Sequence, residues 1–220
     1  MNIGSHIESL RQSLPLGVEV VAVSKFHPVE QIRQAYDAGQ RIFGESRVQE
    51  LVAKQQELPA DIEWHFIGSL QRNKVKLIAP FISLIHSLDS EQLMREIEKQ
   101  GAASGRVIPC LLQIHIAEEE TKSGFSPDEC RHFLGEGSWK ECSNLQIAGM
   151  MGMATYTDDR EQVRREFRLL RDLFEECKAN YFTDDSAFRQ LSMGMSGDYP
   201  IALEEGSTLI RVGTMIFGAR

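Results

Sequence analysis

Short apolar runs, many of them β-branched, alternate with stretches of helical spacing along this chain, and that alternation limits the fold more than any other feature. Apolar runs stand at 18–25, 41–45, 63–68, 82–88, 108–116, 145–151, 190–195 and 208–217. Helix-patterned segments separate them at 28–38, 47–58, 73–80, 90–101, 127–134, 158–180 and 199–205, and another precedes the first run at 2–14. The clearest helix is 158–180, with Val163, Phe167, Leu170, Phe174 and Cys177 on one face. Parallel strands need a crossover between neighbours, and a helix is the usual one. Eight such units predict a single α/β domain over 1–220, a (β/α)8 barrel of the TIM type. The additional N-terminal helix is expected to fill the place of the missing eighth helix. An open doubly wound sheet is the alternative, but it calls for a glycine-rich GxGxxG loop after an early strand, and none is present.

Charge and cysteine usage narrow the function. With 24 basic and 32 acidic side chains the formal charge is −8, which disfavours nucleic acid and anionic membranes as partners. No apolar run reaches the ~20 residues of a membrane span. His6, Glu8 and Arg11 interrupt any signal-peptide core. Cys110, Cys130, Cys142 and Cys177 are widely spaced without a CxxC pair, so free thiols in a reducing cytoplasm are expected, and no metal.

The chemistry concentrates at strand ends. In the first strand Lys25 alternates with Val21 and Val23, so an inward face puts its amine at the carboxyl mouth, where barrels carry catalytic groups. A lysine in a partly dry mouth releases neutral amine, the form that condenses with an aldehyde. The plain alternative is a lysine leaving a strand for solvent. Ser196, Gly213 and Thr214 lie in the loops after strands seven and eight, where these barrels often bind phosphate. Small residues there also suit ordinary turns. Arg211 alternates with Leu209 and Gly213, and an inward arginine needs a partner, either a carboxylate or a ligand. His27, His65 and His115 can line the mouth or simply pack. Glu118, Glu119 and Glu120 read as a solvated loop, and Lys122 has no readable role. Asn73 reads as a helix cap, and Met150, Met151 and Met153 as core.

Six blocks carry a resemblance: VAVSKFHPVEQIRQAYDAG (21–39), FGESRVQE (43–50), WHFIGSLQRNK (64–74), TKSGF (121–125), SMGMSGD (192–198) and GSTLIRVGTMIFGAR (206–220). In this order they resemble the pyridoxal phosphate homeostasis protein family, barrel relatives of the amino-terminal domain of alanine racemase. The resemblance implies a barrel lacking the racemase's C-terminal β domain, with pyridoxal 5′-phosphate (PLP) as cofactor. It implies a Schiff base on Lys25, a phosphate held by Ser196, Gly213 and Thr214, and Arg211 facing the pyridine nitrogen. It further implies a monomeric cytoplasmic protein of PLP (vitamin B6) homeostasis, with PLP-requiring apoenzymes as partners. Ser46 stands where the family usually has asparagine, and Phe26 where it often has threonine.

A PLP-dependent amino acid racemase or lyase is the alternative function, and an aldolase-like lysine acting on a phosphorylated sugar is another. An arginine donates to the ring nitrogen without protonating it, which weakens the ring as an electron sink. In alanine racemase the second base is a tyrosine of the partner's β domain. Racemisation is therefore not the expected activity.

Overall fold

Each apolar run pairs in parallel with the next, and the last returns to the first, closing a barrel in the order β1 to β8. The computed structural model describes residues 2–118 and 123–218, so Glu119, Glu120 and Lys122 lie outside the described residues. The strands are β1 (Glu19–Val23), β2 (Ile42–Glu45), β3 (Glu63–Phe66), β4 (Leu84–Leu88), β5 (Ile108–His115), β6 (Leu145–Met153), β7 (Gln190–Ser192) and β8 (Leu209–Val212). The helices are α1 (Ile3–Ser13), α2 (Val29–Asp37), α3 (Val48–Glu57), α4 (Val75–Ile78), α5 (Glu91–Ser104), α6 (Pro127–Glu136), α7 (Arg160–Tyr181), α8 (Tyr199–Glu204) and α9 (Thr214–Phe217). No helix among the described residues is long and apolar enough to cross a membrane.

Side-chain alternation sorts the apolar residues into two layers. Phe43, Phe66, Leu112, Met150, Phe167 and Phe188 belong to the large layer between strands and helices. Val21, Leu84, Leu111, Ala148, Met151 and Leu209 fill the barrel itself. The helix α1 buries Ile3, Ile7 and Leu10 and packs against α2 and α9, with His6 Nδ1 3.1 Å from the Ile216 carbonyl. It thus shares the eighth helical position with α9.

Several ends differ from the sequence expectation. The eighth strand stops at Val212 because Gly213 leaves the extended region (φ −120°, ψ −66°), and 214–217 is helical. The seventh stops at Ser192, two residues before Gly194 takes φ +95°. The first stops at Val23, so Lys25 sits in the turn beyond it. The sixth runs on to Met153, so the three methionines are in the strand, Met150 outside the barrel wall, Met151 inside and Met153 exposed at the mouth. Asn73 lies inside a short 3-10 turn, Arg72–Lys74, and caps neither that turn nor α4.

Two further features shape the barrel wall. Glu205, just past α8, is buried and accepts from Arg164, Arg168 and Arg171, spaced along one face of α7. This ties the element after the seventh-strand loop to the longest helix. In β6, Ala148 is an extra residue between the pairs Cys110–Ile147 and Leu111–Gly149, a bulge that lets both Ala148 and Met151 face inward. Gly149 makes it possible: its φ is +148°, and a Cβ there would stand 1.8 Å from the Gln190 carbonyl oxygen. Gly149→Ala should therefore cost more than about 3 kcal/mol in urea unfolding. Gly105→Ala, at φ +64° but with open space around it, should cost only about 1 kcal/mol. Equal losses would contradict this account of the bulge.

Candidate functional site

The mouth is assembled where β1 and β8 meet. Their register sets Val21 level with Arg211 and Ala22 level with Val212. Arg211 is buried inside the barrel, and no carboxylate among the described residues forms an ion pair with it. Its Nη1 donates to the Ser192 carbonyl at 2.9 Å and the Ser192 hydroxyl at 2.5 Å, and Nη2 donates to the Gly152 carbonyl at 3.0 Å. A guanidinium has five N–H groups. The Nε–H and one Nη2–H therefore have no acceptor among the described residues. Burial lowers its pKa to about 10, opposed by Asp198, so it remains a cation at neutral pH.

Behind Arg211 a polar chain crosses the barrel interior. Ser192 Oγ lies 3.1 Å from His86 Nδ1, and His86 Nε2 lies 3.1 Å from His65 Nδ1. Arginine can only donate, so Ser192 accepts from it and directs its own proton at His86 Nδ1. That assigns His86 the Nε2–H tautomer, donating to His65. Burial drives both imidazoles to the neutral form. His65 falls to about 3, and His86 lies well below 6.5, with His65 and Arg211 adding to the effect of burial. The chain holds the guanidinium without adding charge.

Lys25 follows Ser24 in a tight turn in which the His27 N–H donates to the Ser24 carbonyl at 3.0 Å. Its side chain is half-buried. The amine has no hydrogen-bond or ion-pair partner among the described residues, in contrast to Lys54, whose three donors are all used. The His27 ring stacks on Phe217 of α9, with centroids 4.5 Å apart, fastening this turn beside the eighth-strand loop. Gly213 lies against the same strand, since a Cβ there would be 3.1 Å from the Val23 carbonyl oxygen. The next residue, Thr214, is exposed and opens α9, which has no side-chain cap. Ser196 is half-buried in the adjoining loop, which Asp198 closes by accepting the Met195 N–H at 2.5 Å. The Arg211 N–H donates to the Gly194 carbonyl at 2.9 Å and joins that loop to β8. Lys25, Ser196, Arg211, Gly213 and Thr214 thus stand on neighbouring elements at one end of the barrel.

Comparison with known proteins gives this arrangement a family. The family described as alanine racemase, N-terminal domain, matches residues 2–220. A pyridoxal phosphate homeostasis protein of Aquifex aeolicus is 40% identical over 203 residues, covering 92% of this chain and 87% of the relative. One from Schizosaccharomyces pombe is 37% identical, covering 92% and 84%. The chain belongs to the pyridoxal phosphate homeostasis protein family. Among solved structures, PipY of Synechococcus elongatus without PLP matches at TM-score 0.92 and 38% identity, covering 98% of this chain and all 100% of PipY. PipY with PLP bound matches at TM-score 0.89. Alanine racemase of Clostridium difficile, 12% identical with TM-score 0.79, shares the fold, and this chain spans 57% of its length.

The block 192–198 opens on another residue of the site, Ser192, and His86 lies outside all six blocks. His86 and Ser192 were missed, although both follow the inward alternation of their strands. Of the histidines considered, His65 is deep in the barrel, His27 packs on Phe217, and His115 lines a cavity of about 350 Å³ beside the mouth with Gln113, Met153 and Met195.

The neutral histidines have a pH consequence. The unfolded chain protonates His65 near 6.5, and the folded chain only near 3. Between those values the unfolded state binds more protons, so stability falls as pH falls through this window. The slope should be about 1.4 kcal/mol per pH unit for each such histidine. Urea unfolding between pH 7 and 4 checks this, and a His65→Asn variant should show the shallower dependence.

Proposed function

We propose that this protein holds PLP as a Schiff base on Lys25 and serves in intracellular PLP homeostasis as a carrier or regulator. The observation that carries the reading is a half-buried amine just past β1 with no partner among the described residues, on the strand that pairs with the one carrying an arginine with two spare donors. When bound, PLP supplies an aldehyde that condenses with a neutral amine, together with a phosphate and a pyridine nitrogen that need holding.

The residues fit those three handles. Lys25 offers the amine. Arg211 offers its spare N–H groups to the ring nitrogen, and the Ser192–His86–His65 chain fixes the plane of the guanidinium. Ser196 and Thr214 offer hydroxyls, and Gly213 brings bare backbone to an uncapped helix start, the kind of surface that takes an anion. Because Arg211 stays cationic, it donates to the ring nitrogen and does not protonate it, which restrains carbanion chemistry and favours holding over turnover. The homeostasis names of the relatives and the PLP-bound PipY structure support the reading. A cytoplasmic location, a monomeric state and PLP-requiring apoenzymes as recipients belong to the same proposal. The free thiols Cys110, Cys130, Cys142 and Cys177 agree with a reducing compartment.

Purified protein should be yellow, with a visible absorbance that Lys25→Ala abolishes while far-UV circular dichroism stays unchanged. With alanine or serine enantiomers in deuterated water, little α-proton exchange is expected. Exchange at turnover rates would establish an amino acid racemase or lyase instead, and a colourless protein without bound B6 vitamer would remove the PLP reading.

A further inference from the structure

Around Lys25 lies a buried charged cluster that the proposed chemistry does not use. Glu45, at the end of β2, is fully buried, and Lys54, on α3, is nearly so. Lys54 Nζ donates to Glu45 Oε1 at 2.7 Å, to Glu50 Oε1 at 2.7 Å and to the Ser24 carbonyl at 2.8 Å. Ser24 Oγ donates to Glu45 Oε1 at 2.6 Å, and the Phe26 N–H donates to Glu50 Oε1 at 2.6 Å. Both chain neighbours of Lys25 are therefore held by one cluster, from the helix side of the barrel wall. Lys25 itself is untouched by it.

The backbone explains why a clamp is needed. Phe26 has φ +65°, the one positive φ among the described non-glycine residues. A side chain with a Cβ resists that region. In a four-residue turn from Ser24 to His27, positive φ at the third position is the mark of type II. Turning over the central peptide, between Lys25 and Phe26, converts such a turn to type I, where φ is negative. The N–H of that central peptide is the one Glu50 accepts. Its flip would reset ψ of Lys25 and, with it, the rotamers open to the amine. Arg47, one turn before Glu50, adds its guanidinium over the Phe26 ring at 4.7 Å.

We propose that Glu50 and Lys54 are positioning residues for Lys25. They lock the turn so that the amine is presented to the aldehyde in one orientation. The inference rests on the reading of Lys25 as the PLP-bearing amine. In the step it serves, the neutral amine attacks the aldehyde carbon, a C=N bond replaces C=O, and the oxygen leaves as water with the two protons the amine sheds.

The test compares PLP with pyridoxine 5′-phosphate, which has the ring and phosphate but an alcohol in place of the aldehyde. Glu50→Ala should weaken PLP binding about tenfold, as loss of a charged hydrogen bond does, and change pyridoxine 5′-phosphate binding less than about twofold. Glu50→Gln should restore PLP binding, because the single oxygen that accepts from both Phe26 and Lys54 is retained. Phe26→Gly should shrink the Glu50→Ala loss, since glycine takes the left-handed conformation freely. Equal weakening of both ligands, no weakening of PLP, or failure of Glu50→Gln to restore it would each overturn the positioning role. If wild-type protein forms no Schiff base on Lys25, the parent reading fails, and that result is seen before any variant is made.

Discussion

Closure of the sheet between β1 and β8 is the constraint on which the rest depends. Glu19 to Ala22 pair in register with Leu209 to Val212, residues from opposite ends of the chain. A parallel closed barrel leaves every strand pointing the same way, so all the carboxyl ends and their loops collect on one rim. Lys25 comes from the first of those ends, Ser196 follows the seventh, and Gly213 and Thr214 follow the eighth. An open sheet would have put the first and last strands on separate edges. The stack of His27 on Phe217 and the packing of Gly213 against Val23 are side-chain and backbone consequences of the same closure.

Two buried cations show how the fold handles charge near the site. Lys54 is saturated, with three donors on three acceptors, and holds backbone. Arg211 is held by two carbonyls and a hydroxyl, and its other N–H groups have no acceptor among the described residues. A buried cation is costly without such partners, and removing one partner of a buried pair is costlier than never having had the pair. The contrast separates a cation whose donors are all used from one with donors to spare. Lys25, whose amine has no partner among the described residues, is the third case. Its side chain is only half-buried.

The order of the elements was legible because each strand and helix carries its own period, and the barrel followed from counting them. Strand ends were less legible. Gly194 and Gly213 turn the backbone out of the sheet, while the apolar runs continue to Met195 and Phe217 and read as strand. Residues 215–217 are apolar, and α9, packed against α1, buries Ile216 and Phe217, which a period of two cannot reveal. Lys25, Arg211 and the loop residues were singled out by their positions at strand ends, and their roles by the family resemblance. The His65–His86–Ser192 chain was not, since an inward histidine on a strand has no sequence signal until the facing strands are known. Glu50 and Lys54 stand at an i,i+4 spacing that exposed helix faces also carry. Only the packing of α3 over the end of β2 shows that they hold the Lys25 turn.

The central claim is that one particular amine captures PLP. Borohydride reduction of the purified holoprotein, followed by proteolysis and mass mapping of every lysine, tests it most directly. The reduced pyridoxyl group should appear on the peptide containing Lys25 and on no other at stoichiometric level. A stoichiometric adduct on a different lysine, or none after reduction, would contradict it.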